Sequence, residues 1–229
     1  LTFADKAYRY FTRLRAPENI PRKFHILNPY DNREVRRVLR IFLDKFYDDS
    51  RERFFIIGIN HGRFGGGVTG LSFTDPVAVR DFCGIENSLG TRRELSSTFI
   101  YKVVEAVGGA KMFFKNFFLT ALYPLAVLQD GKNCNYYDDR DLYQSLKPEI
   151  INSLRQQIEF GTRRETVVCL GRRNAKFLEQ INDQHNFFQE IKVLDHPRWI
   201  MQYRLKSVEK YVGEYLSSLS SLVPALNTA

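Results

Sequence analysis

Arg53-Phe54-Phe55-Ile56-Ile57-Gly58-Ile59 runs directly into Asn60-His61-Gly62-Arg63-Phe64-Gly65-Gly66-Gly67-Val68-Thr69-Gly70-Leu71-Ser72-Phe73, and this stretch decides the fold. Arg53 to Ile59 is a short apolar run, rich in β-branched and aromatic residues and closing on glycine, which reads as a buried strand. Asn60 to Phe73 reads as the loop it feeds, since six of the 14 glycines fall between Gly58 and Gly70. A strand entering such a loop offers backbone N–H groups to a ligand at the C-terminal edge of an open α/β sheet. From composition the loop is either a phosphate cradle or a purely structural turn. No G-K-[S/T] ending marks a P-loop, and Gly58, Gly62 and Gly65 do not make GxGxxG.

Outward from this core the pattern alternates. Ala4 to Leu14 reads as a helix, with Ala7, Tyr8, Phe11 and Leu14 on one stripe. Glu34 to Tyr47 reads as a second, with Arg36, Arg37 and Arg40 on its solvated face. Thr74-Asp75-Pro76 reads as a helix start, an Asp cap with proline at the first helical position. Ser96 to Val107 predicts a helix stopped by Gly108-Gly109. Phe113 to Leu128 predicts one or two strands interrupted near Pro124, followed by a turn at Gly131-Lys132-Asn133. Helices are expected over Leu142 to Phe160 and Asn174 to Ile181, strands over Thr166 to Leu170 and Ile191 to Leu194. A terminal helix is expected from Trp199 to Leu216. Strands alternating with helices predict an α/β fold: a three-layer α/β/α sandwich on a central, mainly parallel, four-stranded sheet. Residues 1–221 form one expected domain, with 222–229 a loose tail.

Bulk properties narrow the function. Lys and Arg outnumber Asp and Glu by 34 to 26, giving a net charge of +8 and a pI near 9.4, which favours polyanions, nucleic acid first and anionic membrane second. Cys83, Cys134 and Cys169 lie far apart, too few for an iron–sulfur cluster and without a disulfide framework. A reduced compartment is the plain reading: cytoplasmic and nucleoid-associated in a bacterium, nuclear in a eukaryote. No apolar stretch approaches the roughly 18 residues of a membrane span. No metal or other cofactor is expected, and the chain is expected to be a monomer.

Gly58-Ile59-Asn60-His61-Gly62-Arg63-Phe64-Gly65, then Thr69-Gly70-Leu71-Ser72-Phe73, resembles the first motif of the single-strand-selective monofunctional uracil-DNA glycosylases, G-M-N-P-G-P-F-G, a spacer, then T-G-V-P-F. The resemblance is closest to the bacterial branch, whose motif reads G-I-N-P-G-R-F-G. It continues through Val79-Arg80-Asp81-Phe82 and Gly84-Ile85, Pro124-Leu125 with Gly131-Lys132-Asn133, Gly171-Arg172 with Ala175, and His196-Pro197. These blocks keep order and spacing over roughly residues 50 to 210.

The resemblance implies a DNA glycosylase that leaves an abasic site, its partner being single- or double-stranded DNA with a damaged base. Base excision breaks C1′–N1 with negative charge on the departing base, so the catalyst must extract the base, stabilise the anion and position a water. By resemblance Asn60 orients the water and His196 donates a hydrogen bond to O2 of the base. An Asn amide can donate to and accept from water but cannot take its proton. The base pocket is implied to comprise Ile59, Gly62, Phe64, Phe73 and the position held by Ala121. Phe73 matches the aromatic that stacks on the flipped base. Gly62 matches a glycine that leaves room beside C5, which implies tolerance of 5-hydroxymethyluracil. Arg63, Lys132, Arg172, Arg173 and Arg198 are candidate DNA contacts, an ordinary solvated surface being the alternative; Arg198 and Trp199 are the available wedge residues, Trp199 being equally suited to anchor the last helix.

Two positions depart from the pattern. His61 replaces the usual proline, and the residues leave open whether it perturbs the loop, touches a phosphate or sits beside the water. Ala121 stands where the family has its base-reading Asn, leaving Thr120, backbone groups or a water to substitute and admitting other deaminated bases such as xanthine. Two further classes compete with the enzyme: a non-catalytic nucleic-acid-binding protein on the same fold, and a nucleotide-binding enzyme using the glycine-rich loop.

Overall fold

The computed structural model describes residues 1–223 and Leu226. Six strands form one sheet: β1 (Phe24–Leu27), β2 (Phe54–His61), β3 (Phe117–Gln129), β4 (Lys132–Cys134), β5 (Thr166–Leu170) and β6 (Glu190–Leu194). The order is β1-β3-β2-β5-β6, with β4 on β3. The four strands β3, β2, β5 and β6 are mutually parallel, while β1 and β4 pair antiparallel with β3. The expected parallel four-stranded core is present, but the sheet has six strands and is mixed. Both additions follow from the length of β3. At 13 residues it outruns β2, so its last residues would otherwise leave unpaired N–H and C=O groups on two edges. β1 covers one edge, with Phe24 opposite Gln129. β4 returns along the other through the Asp130-Gly131 turn, both residues at positive φ as a two-residue hairpin requires.

Pro124 does not interrupt β3. Asn60 of β2 pairs with Tyr123, but the next residue, His61, pairs with Ala126, so Pro124 and Leu125 fall in a bulge opposite no residue of β2. A proline without an N–H is tolerated where no ladder bond is asked of it. The apolar run from Phe113 was expected to be strand from its start. Its first residues instead end a helix, because an apolar run reads alike in a buried helix and a buried strand.

Helices flank the sheet: α1 (Phe3–Arg13), α2 (Arg33–Tyr47), α3 (Gly66–Thr69), α4 (Pro76–Asp81), α5 (Leu95–Ala106), α6 (Ala110–Asn116), α7 (Arg140–Ile158), α8 (Arg172–His185), α9 (Pro197–Tyr203) and α10 (Val208–Leu222). Asp75 caps α4 as read, its carboxylate accepting from Ala78 N at 2.8 Å with Pro76 at the first position. Gly108 and Gly109 close α5 at positive φ. The expected terminal helix is two, separated by a 3-10 turn at Leu205–Ser207 with no Gly or Pro to mark the break. The tail expected to be loose lies mostly outside the described residues; Leu222 closes α10 and Leu226 is buried.

Arg53, at the foot of β2, is fully buried. It pairs with Asp49 at 2.9 and 3.0 Å, donates to the Phe114 and Arg51 carbonyls at 3.0 Å, and lies against the Phe3 and Tyr47 rings. It joins α1, α2, α6 and the sheet through one side chain. Arg53→Ala is expected to lower stability by about 3 kcal/mol in urea unfolding, because it strands a carboxylate and several carbonyls at once.

Candidate active site

A pocket of about 530 Å³, including its open mouth, lies at the C-terminal edge of β2 and β3. It is lined by Ile59, Asn60, His61, Gly62, Phe73, Ala121, His196 and Arg198 from the sequence reading, together with Glu94, Ser96, Asn133 and Asn135. Residues separated by more than 130 positions therefore converge on one opening.

Asn60 sits at the last residue before the β2–β3 register slips. Its Oδ1 accepts from Tyr136 N at 3.1 Å, and its Nδ2 donates to Cys134 O at 3.1 Å and to His61 O at 3.3 Å. These contacts set which end of the amide is oxygen and leave Oδ1 a second lone pair. Cys134 ends β4, so the strand read from sequence as a turn holds this amide.

His196 follows β6 and caps α9: its Nδ1 accepts from Arg198 N at 3.2 Å. An accepting Nδ1 carries no proton in the neutral ring, so Nε2 bears the N–H. Burial, with the Arg198 guanidinium nearby, pushes the His196 pKa down to about 4. At neutral pH the residue is an uncharged donor.

Phe73 is the aromatic wall, its ring 5.8 Å from that of His196. It has φ +56°, a conformation seldom adopted by a bulky residue. Thr69 holds the turn by donating from Oγ1 to Thr74 O at 2.7 Å and accepting from Leu71 N at 3.1 Å. Gly58 lies beneath the ring, where any Cβ would overlap it. Ala121 pairs with Gly58 across the β2–β3 ladder and lines the same pocket. Thr120 points to the opposite side of the sheet, where its hydroxyl donates to Gln157 Oε1, so it does not substitute for an amide at 121.

His61 is buried, with Nε2 on Ser72 Oγ at 3.0 Å. It staples the start of the glycine-rich segment to the residue before Phe73, and it lines the pocket. The segment read as loop is partly regular, β2 extending to His61 and α3 occupying Gly66–Thr69.

Phe64 lies outside the pocket, on an adjoining shelf with Arg63, Arg92, Arg93, Lys132 and Arg198. Its ring is sandwiched between the guanidinium groups of Arg92 (3.5 Å) and Arg63 (4.3 Å). Arg172, Arg173 and Trp199 line a second hollow that shares Ile59 and His196. Arg172 pairs with Asp195 at 3.0 Å, and Trp199 packs on Tyr211 and under Arg204. Arg198 stands at the pocket mouth, whereas Trp199 is held among α9 and α10. Sequence reasoning missed Glu94, Arg92 and Arg93; nothing in Arg92-Arg93-Glu94 separates them from an ordinary solvated run. Among the described residues, no cluster of His, Cys, Asp and Glu could hold a metal ion, and no helix is long and apolar enough to cross a membrane.

Residues 45–220 match the Uracil DNA glycosylase superfamily. The chain belongs to this family. A search of solved structures finds the crystal structure of wild-type SMUG2 from Pedobacter heparinus, 37% identical, covering 97% of this chain and 98% of that one, with a TM-score of 0.94. A comparison with curated proteins finds no match. The class of this chain is accordingly a DNA glycosylase, a hydrolase acting in DNA repair, and the resemblance to the bacterial single-strand-selective branch agrees with the structural match.

Burial also pushes His61 down to about 3, against an ordinary 6.5. Between about pH 6.5 and 4 the unfolded chain therefore binds more protons at His61 and His196 than the folded one, and stability falls as pH drops through that window. The melting temperature is expected to decline from pH 7 to 4.5. Both folded-state values lie below that window, so the two histidines share the decline about equally and His61→Gln should remove about half of their part, while Glu94, raised to about 7, titrates the other way and offsets some of it.

Proposed function

We propose that the chain removes uracil and related deaminated or oxidised bases, 5-hydroxymethyluracil and xanthine among them, from DNA by monofunctional hydrolysis. Asn60 positions the attacking water and His196 stabilises the departing base. The observation that carries this reading is the convergence of a clamped Asn amide and a neutral His donor on one pocket with an aromatic wall.

The water oxygen bonds to C1′ as the C1′–N1 pair leaves on the base, and the water's proton passes to solvent or to the departed base. Asn60, unable to accept a proton, aligns the water through the free lone pair of Oδ1. A neutral His196 can donate from Nε2 to the carbonyl on which charge grows, a contact stronger in the transition state than in the ground state. Phe73 supplies the stacking face for an extruded base.

Arg63, Lys132 and Arg198, joined by Arg92 and Arg93, supply positive charge beside the mouth and suit phosphates flanking the flipped nucleotide. Arg198 at the mouth is the residue best placed to enter the gap in the stack. A chain that bound DNA without excising would have no use for a tautomer-fixed His in one pocket with a clamped Asn.

Asn60→Ala and His196→Ala should each lower single-turnover excision from a uracil oligonucleotide by about 10²–10³. DNA affinity in a gel-shift titration should change by less than about tenfold. Absence of alkali-labile product from uracil, 5-hydroxymethyluracil and xanthine substrates, in both single and double strands, would sink the enzymatic reading and leave a DNA-binding protein on the same fold.

A further inference from the structure

The pocket holds a carboxyl group that neither excision role uses. Glu94 immediately precedes α5, and its backbone N–H donates to Asp75 Oδ2 at 2.8 Å, which places the residue from α4. Its side chain does not cap α5. It reaches over the floor made by Gly62 and Gly65, where a Cβ on Gly62 would overlap Oε1 and a Cβ on Gly65 would overlap Oε2. Gly62, read from sequence as leaving space beside C5, thus also makes way for the Glu94 carboxyl, which a 5-substituent would meet. That carboxyl makes no hydrogen bond to any described residue, and burial pushes its pKa up to about 7 against the pull of Arg198.

A carboxylic acid offers an O–H donor beside a C=O acceptor, the same pair as a carboxamide. Uracil, 5-substituted uracils and xanthine each present an imide edge, an N–H next to a carbonyl, that such a pair fits. Ala121, on the ladder beside Gly58, supplies only a methyl group. Resting on the excision reading above, we infer that Glu94 is the specificity-determining residue of this pocket, its carboxylic acid donating to the carbonyl and accepting from the N–H of the imide edge. Ionised, the same group has only acceptors; it loses the donor and repels the charge that develops on the leaving base.

Excision should therefore fall as pH rises through the range in which Glu94 ionises. The charged and titratable groups around it are Arg198 on α9, Asp75 at the start of α4, Arg92 and Arg93 beside it in sequence, and Arg63 and Lys132 on the shelf. His61 and His196 also line the pocket, but both titrate well below neutrality. The N-terminus of α5 and Arg198 favour the anion, burial and Asp75 the acid, and the rate profile reads the sum.

The test is single-turnover excision from pH 6 to 9 by wild type, Glu94→Gln and Glu94→Ala, on oligonucleotides carrying uracil or N3-methyluracil. Wild type is expected to lose about tenfold per pH unit above its transition and to discriminate against the N3-methylated base. Glu94→Gln, which keeps a donor and an acceptor, should stay within a few fold of wild type at pH 6 and lose the alkaline decline. Glu94→Ala should lose about tenfold to a hundredfold at pH 6 and most of the discrimination, with DNA binding retained. Thermal melts check folding, and Glu94→Gln should melt higher than wild type at pH 8, where it avoids a desolvated charge. An active wild type whose rate, pH profile and discrimination are matched by Glu94→Ala overturns this role alone. A wild type inactive on all the deaminated bases overturns the excision reading, and this role with it.

Discussion

The parallel ladder between β2 and β3, and its slip at Asn60/His61, is the constraint on which the site depends. Up to Asn60 the two strands run in register, which sets Gly58 beside Ala121 and brings both to the sheet edge. At the slip the backbone of β3 absorbs Pro124 and Leu125 and continues beyond β2, leaving an edge that β4 must cover. β4 then supplies the Cys134 carbonyl, and the residues after it the Tyr136 N–H, that clamp the Asn60 amide. A proline that reads in sequence as an interruption thus sits at the slip beyond which β4 and the residues after it hold the Asn60 amide from two sides.

Desolvation does most of the electrostatic work. Two histidines are kept neutral by burial, one to staple the glycine-rich segment and the other to offer an N–H to the pocket. The same removal of water raises Glu94 toward neutrality. Close approach makes this possible. Glycines under Phe73 and under the Glu94 carboxyl let a ring and an acid sit where a Cβ would exclude them, so the glycine-rich stretch is shaped for side chains as well as for the ligand. Outside the pocket, cations collect on the shelf around Phe64, where Arg93 pairs with Asp81 at 3.1 Å and Arg63 and Arg92 lie on the Phe64 ring.

Local patterns were legible wherever the physics is local. The apolar run into Gly58, the Asp75-Pro76 cap, the Gly108-Gly109 stop and the strand at Thr166 to Leu170 all appear where the residues place them. The ordered motif blocks carried Asn60, Phe73 and His196 to one pocket without any distance being known. Failures occurred where an outcome is set by a partner far away in sequence. β1 is four residues that are a strand only because β3 has an unpaired edge. Phe113 and Phe114 look the same in helix and strand, and packing chose helix. Phe64 belongs to the motif yet stands on the shelf, held there by Arg92 as well as by its neighbour Arg63.

By itself the sequence determined the α/β class, the site-bearing edge of the sheet and the motif residues Asn60, Phe73 and His196 that meet in one pocket. These depend on side-chain chemistry, on periodicity and on the order of motifs, all of which are written along the chain. Only the tertiary structure decided the tautomer of His196, the clamp on Asn60 and the occupant of the space over Gly62. Each is a contact between residues separated by as few as two positions or as many as 76, made or excluded within a few ångströms. No spacing rule encodes such distances; the register of a folded sheet does.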